Sequence, residues 1–345
     1  MRALVYERFT GPLTVREVEA PQPPNGGVVV RVGACGICRS DWHGWQGHDA
    51  DISLPHVPGH ELAGTVVEVG DGVRRWHPGD RVTVPFVCAC GNCAQCSAGQ
   101  YEVCSRQTQP GFSHWGSMAE LVALEAADLN LVALPDDLDF VTAASLGCRF
   151  STAFRAVVIH AKVRPGEWVA VHGCGGVGLS AVQIAVAAGA RVVAVDVSAG
   201  ALAMARELGA EATVHPAAAG EAVPAAVSDI TGRGAHVSLD AVGLVQTCVD
   251  SISCLRPRGR HVQVRLLPAA QGRPRVPMDR VISLELQLFG SHGMGAGAYP
   301  ELLGLIAAGR LQPGLLVTRE LGLADAAEAL ATVGSTPGIA VVTSF

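Results

Sequence analysis

One stretch constrains the fold more than any other. Trp168-Val169-Ala170-Val171-His172 leads into Gly173-Cys174-Gly175-Gly176-Val177-Gly178, then apolar Leu179 to Gly189, then Arg191-Val192-Val193-Ala194-Val195-Asp196. The outer runs read as buried strands, the apolar middle as a helix, and the glycine hexad as the turn between them. Gly173, Gly175 and Gly178 allow a tight turn in which backbone N–H groups can approach a pyrophosphate. Gly176 and Val177 open the helix, whose N-terminal dipole favours phosphate. Asp196 lies 18 residues beyond Gly178, at the end of the second strand. A carboxylate there accepts hydrogen bonds from ribose hydroxyls and repels a 2′-phosphate, so the stretch predicts a βαβ unit that takes NAD rather than NADP.

The alternation continues downstream. Helices are expected at 201–208, 222–230 and 246–255, and strands near 212–214, 237–241, 259–264 and 284–289. Such alternation predicts an α/β, doubly wound parallel sheet. Upstream the character differs: residues 1–33 hold short β runs broken by Pro and Gly, and 63–70 alternate as a strand. Helices are expected at 140–147 and 151–160. The tail, with helices near 301–308 and 324–332 and a strand at 339–343, is expected to return and complete the first unit. A chain of 345 residues is long for one core. The predicted division is 1–148 with 291–345, and 149–290 between them.

Composition excludes several classes. The net charge is −6 with no basic block, so neither nucleic acid nor a membrane surface is an expected partner. Met1 to Thr10 lacks a signal-peptide layout, and no unbroken apolar run is long enough to span a bilayer. A cytoplasmic location is therefore expected.

Of the 11 cysteines, Cys90, Cys93, Cys96 and Cys104 crowd into one lobe, about 88–105. Four thiolates at this spacing suit a closed tetrahedral zinc, with an iron–sulfur cluster as the competing reading. Cys88 lies outside the spacing. A second group is more dispersed. Cys38 opens the polar run Cys38-Arg39-Ser40-Asp41-Trp42-His43, His60 follows the Pro58-Gly59 turn, and Cys148 closes an apolar stretch. Together they could supply the three protein ligands of a catalytic zinc. Read singly, His60 could cap a turn and Cys148 could be a buried structural thiol.

Gly59-His60-Glu61, the four-cysteine lobe, Gly147-Cys148 and the glycine turn with Asp196 together resemble the zinc-dependent alcohol dehydrogenases of the medium-chain dehydrogenase/reductase family. The resemblance covers essentially the whole chain. It implies a Rossmann domain inserted in a GroES-like catalytic domain that is mostly β. It also implies two zinc ions per chain, NAD as cofactor, and a homodimer or homotetramer acting on a small alcohol or aldehyde. Cys38, His60 and Cys148 match the catalytic-zinc ligands, and Cys90, Cys93, Cys96 and Cys104 the structural ones. Glu61 matches a carboxylate near the zinc, and Asp41 the partner of the zinc-binding histidine. Ser40 and His43 match a proton relay that runs through the cofactor ribose to water. Arg39 matches a phosphate contact. Thr152 and Val264 match cofactor-facing positions.

The implied reaction is hydride transfer between an alcohol and NAD, with zinc stabilising the alkoxide. Polyol, threonine and formaldehyde dehydrogenases of the same family are alternatives. A zinc-free quinone reductase, or a non-catalytic nucleotide-binding scaffold, would not need the zinc ligands. Three departures from the family pattern stand out: no Arg follows Gly338, Ser198-Ala199-Gly200 lacks charge, and Gly47-His48-Asp49-Ala50-Asp51 lacks a Trp that often shapes a small-alcohol pocket. Trp42, Trp45 and Trp115 could shape that pocket or be plain packing residues.

Overall fold

The computed structural model describes residues 1–219, 223–267 and 272–345. Its strands, in chain order, are β1 (Arg2–Val5), β2 (Thr14–Glu17), β3 (Val28–Ile37), β4 (Glu61–Val69), β5 (Arg81–Thr83), β6 (Leu121–Leu124) and β7 (Val132–Ala133). Then follow β8 (Trp168–His172), β9 (Arg191–Val195), β10 (Ala212–Val214), β11 (Ala235–Asp240), β12 (Leu255–Gln263), β13 (Gln287–Gly290), β14 (Val317–Gly322) and β15 (Ile339–Ser344).

β8 to β13 form one sheet in the order β10-β9-β8-β11-β12-β13, every described pair parallel. Strand order reverses between β8 and β11, and ligands of open α/β sheets bind at the carboxyl ends beside such a reversal. Val169, Val171, Val192, Ala194, Val237 and Leu239 are fully buried, as expected for strands covered by helices on both faces. The helix Gly176–Ala187 packs across this sheet. The second sheet runs β14-β15-β3-β4-β5-β7, with β6 on β3, and is antiparallel except where β14 meets β15. Here the tail returns: Ala340 pairs with Ile37.

Several expected boundaries shift. The last strand of the parallel sheet, expected at 284–289, starts only at Gln287, because the helix Met278–Ser283 occupies the approach to it. The helix expected at 222–230 is described as Val223–Thr231, and Ala222 lies outside the described residues. β14 was not expected at all: Val317-Thr318-Arg319-Glu320 has no clean alternation, and its pairing with β15 comes from tertiary context. The two helices expected over 140–160 form a single winding run. Phe140–Ala144 and Ser151–Phe154 are α-helical, while Leu146–Phe150 and Arg155–His160 take wider π turns. Such turns often mark functional positions, and Cys148 sits in one.

The parallel sheet also buries polar groups. His172 Nε2 lies 3.6 Å from Cys254 Sγ, and His261 Nδ1 lies 3.0 Å from Ser251 Oγ and 3.2 Å from Ser238 Oγ. Burial pushes both imidazoles down from 6.5 to about 4. The folded state therefore holds them neutral where the unfolded chain protonates them, so their contribution is complete above about 6.5 and is lost as pH falls toward 4. The loss is on the order of 3 kcal/mol per ring at most. Thermal midpoints should drop through this window, and a His172→Asn/His261→Asn variant should show a flatter drop. Parallel profiles for parent and variant would contradict the assignment.

Candidate active site and metal centres

β3 ends at Ile37, and the chain turns into the short helix Arg39–Trp45 with Cys38 as its extended cap residue. Asp41, in the first turn, reaches back over the cap. Its Oδ2 accepts from the Cys38 N–H at 2.9 Å. Its Oδ1 accepts from the Gly59 N–H at 3.0 Å and meets His60 Nδ1 at 2.7 Å. An ionised carboxylate only accepts, so the network assigns the proton to His60 Nδ1 and leaves the lone pair on Nε2. That Nε2 is buried and has no hydrogen-bond partner among the described residues.

The π turn Leu146–Phe150 carries Cys148 to the same place. The ligand atoms of Cys38, His60, Glu61 and Cys148 all lie within 4.8 Å of one another, and all four residues are buried. An orphaned imidazole lone pair beside two thiols fits a three-ligand zinc site with one open position. The Cys38 thiol is held well below its ordinary value, first by Cys148 and then by His60, while the Cys148 thiol is pushed up. The rings of Phe86 and Phe112 stand 6.1 and 5.2 Å from that of His60 and make the surroundings apolar.

Glu61 is engaged elsewhere. Arg149 donates its backbone N–H and Nε–H to Oε1, each at 2.9 Å, and Nη2 bonds Oε2. Nη1 donates to the Ile37 carbonyl at 3.0 Å. Burial pushes the Glu61 carboxyl up and Arg149 opposes this. The same side chain crosses Gly176 so closely that a Cβ there would collide with its Cδ. Arg149 therefore joins the metal cluster to the first turn of the nucleotide helix.

The second cluster, Cys90, Cys93, Cys96 and Cys104, is compact and free of disulfides. Its Sγ atoms are separated by 3.4 Å for Cys93–Cys96, 3.7 Å for Cys93–Cys104 and 3.5 Å for Cys90–Cys104. Backbone N–H groups of Cys90, Cys96 and Arg106 point at sulfur. The Cys93 thiol is pulled down to about 5, chiefly by the Cys96 N–H. A donor set of four sulfurs suits a closed structural zinc, which takes no further ligand.

At the parallel sheet, Gly173 and Gly175 form the turn after β8, and Gly176, Val177 and Gly178 begin the helix. A Cβ at Gly178 would overlap the Gly173 carbonyl oxygen, so this approach requires glycine. Asp196 follows β9 and faces the turn: Oδ2 accepts from the Cys174 N–H at 2.6 Å and Oδ1 from the Ser198 N–H at 2.7 Å. Each oxygen keeps a further lone pair. Val264 follows β12 and is half-buried, with its N–H on the Asp240 carbonyl at 3.1 Å. Thr152 is buried, and its Oγ1 has no hydrogen-bond partner among the described residues. The residues fit a dinucleotide at the carboxyl ends of β8 and β9.

On the helix Arg39–Trp45, Ser40 is half-buried, and Arg39 stacks 4.1 Å over Trp42 while donating to the Val333 carbonyl at 2.7 Å. His43 does not keep an unperturbed pKa. Half-burial and then the Arg265 guanidinium lower it from 6.5 to about 4. Trp45 and Trp115 spend their indole N–H groups on the Gly11 and Pro55 carbonyls.

Sequence reasoning missed Arg149, Arg265 and His48. Arg149 had a signal, as the lone charge in the apolar run 143–150. Arg265 and His48 had none, since only the fold brings them to His43.

Residues 24–136 match the family description "Alcohol dehydrogenase GroES-like domain", and residues 176–308 match "Zinc-binding dehydrogenase". Over 218 residues the chain is 44% identical to an alcohol dehydrogenase of Geobacillus stearothermophilus, covering 63% of this chain and 64% of that enzyme's length. It is 30% identical over 348 residues to a sorbitol dehydrogenase of Halalkalibacterium halodurans, covering 99% and 98% of the two chains. A crystal structure of an NAD-dependent alcohol dehydrogenase superposes with a TM-score of 0.89 at 32% identity and complete coverage of both chains.

Proposed function

Because the chain belongs to the zinc-type alcohol dehydrogenases of the medium-chain dehydrogenase/reductase family, we propose that it reversibly oxidises a primary or secondary alcohol to an aldehyde or ketone with NAD and zinc. The observation that carries this reading is the buried, partnerless Nε2 of His60 set among Cys38 and Cys148. Those three side chains would hold the catalytic zinc, and Cys90, Cys93, Cys96 and Cys104 a structural one. Bound there, zinc supplies Lewis-acid stabilisation of negative charge on a substrate oxygen. NAD, held by the glycine turn and Asp196, supplies the hydride acceptor.

The chain's own residues do the rest. Asp41 fixes the His60 ring and its tautomer through Nδ1. Phe86 and Phe112 keep water from the His60 ring. Ser40 Oγ takes the proton of the substrate hydroxyl while passing on its own, so it needs no shifted pKa. His43 carries the proton onward. Arg149 holds Glu61 with both carboxylate oxygens engaged, so Glu61 balances the buried Arg149 cation and does not move freely as a ligand. Arg39 and Thr152 are assigned to the cofactor side, as is Val264. In this reading 1–148 with 291–345 is the catalytic unit, and the enzyme works as a cytoplasmic homodimer or homotetramer.

Metal counting on purified protein should give two zinc ions per chain. A panel of primary, secondary and polyhydric alcohols with NAD should show reduction of the cofactor. Two bound zincs with no NAD reduction across the panel would reject the reading. Asp196→Ala should erode the preference for NAD over NADP, because it removes both a hydrogen-bond acceptor and a repulsive charge. The comparison is kcat/KM with each cofactor. A parent protein that works better with NADP would overturn the cofactor assignment.

A further inference from the structure

We propose that His48 is the outer end of the proton path that begins at Ser40 and His43, and that Arg265 is a stopper which must leave His43 before the path conducts. The inference rests on the relay reading above.

Three side chains from separate places meet in a row. Arg265 stands just beyond β12, at the carboxyl edge of the parallel sheet, and its Nη2 lies 2.6 Å from His43 Nε2. His43, on the helix after β3, turns its other ring nitrogen, Nδ1, to His48 Nδ1 at 2.9 Å. His48 is exposed and His43 half-buried, so the row runs from the cleft to solvent. His48 leads away from the cleft toward a loop in which Asp49 caps its own turn.

The hydrogen-bond chemistry fixes every proton. A guanidinium only donates, so His43 Nε2 must accept. The His43 proton is then on Nδ1, which donates to His48 Nδ1, and the proton of a neutral His48 lies on Nε2. In this state His43 has no nitrogen free to receive a proton. The groups facing its ring are Arg265, His48, Arg39 and the Cys38 sulfur, three cations or imidazoles against one thiol. The lowered pKa of His43 agrees with a ring kept neutral by half-burial and then by its guanidinium neighbour.

Once Arg265 leaves Nε2, the accounting changes. A proton arriving at His43 Nε2 drives the Nδ1 proton to His48 Nδ1, and His48 releases its Nε2 proton to water. One proton enters and one leaves. Each ring ends in its other tautomer and resets by exchange with solvent. A ligand that fills the cleft and bonds His43 Nε2 competes with Arg265 for that nitrogen.

Nitrogen-15 spectra of the zinc-loaded, cofactor-free protein should show His43 as the Nδ1–H tautomer. Arg265→Met should convert it to a mixture, and Arg265→Lys, which keeps a donor, should not. Arg265→Met should bind NADH about fivefold more tightly, the equivalent of one hydrogen bond no longer competing. Weaker NADH binding would make Arg265 a cofactor contact and overturn the stopper. His48→Gln should lower kcat about tenfold, below the usual range for a full acid–base group, with recovery in added imidazole. An unchanged kcat in His48→Gln beside a lowered one in His43→Ala would mean that His43 discharges straight to water, which sinks the proposal but leaves the relay. An unchanged kcat in His43→Ala would remove the relay itself.

Discussion

His60→Ala should reduce turnover by about 10³-fold or more while leaving the protein folded. The loss follows from charge stabilisation worth several kcal/mol that depends on the metal, with each ~1.4 kcal/mol a factor of ten. The fold should survive because the partners of Asp41 do not all vanish: its carboxylate keeps the Cys38 and Gly59 N–H groups. Metal analysis should fall from two zincs per chain to one, with the cysteine lobe still loaded. Near-parent activity with one zinc bound would refute the ligand assignment.

Arg149→Met should destabilise the protein by about 3–5 kcal/mol, the cost of leaving a buried carboxylate without its charge partner. Glu61 is fully buried and Arg149 nearly so. The two are joined through both carboxylate oxygens, and Arg149 also holds the Ile37 carbonyl. Adding Glu61→Gln to Arg149→Met should recover much of the loss, because the orphaned charge is then gone. Arg258–Glu285 makes a useful control: its side chains are 75% and 70% exposed, and breaking it should cost under about 1 kcal/mol. Denaturant midpoints of the zinc-loaded proteins check both. Equal small losses at the two pairs would show that Glu61 is protonated or hydrated instead of paired.

Much of this site was readable from local pattern. The glycine turn is legible because its residues obey a short-range steric rule, in which Gly178 must face the Gly173 carbonyl. The cysteine lobe is legible because all four ligands fall within 15 residues, from Cys90 to Cys104. What stayed hidden depends on contacts distant in sequence. The Arg149–Glu61 pair spans 88 positions and the Arg265–His43 contact spans 222. No spacing rule reaches that far. The π turns around Cys148 were hidden for another reason: composition signals helix, and the width of the turn is decided by what it packs against.

The pairing of Ala340 with Ile37 has a consequence for synthesis. Chains emerge from the ribosome N-terminus first, and folding units tend to close in that order. Here the order is inverted. β8 to β13 end at Gly290, so the parallel sheet has all its strands outside the exit tunnel while β15 is still being made. β3, finished some 300 residues earlier than its neighbour β15, must wait with the end of one edge, Cys35 to Ile37, open, since β6 pairs only Val28 to Arg31 there. An open edge is a template for pairing with other chains. The nascent protein is therefore vulnerable at an early strand, and a strand made long after it is the one that relieves it.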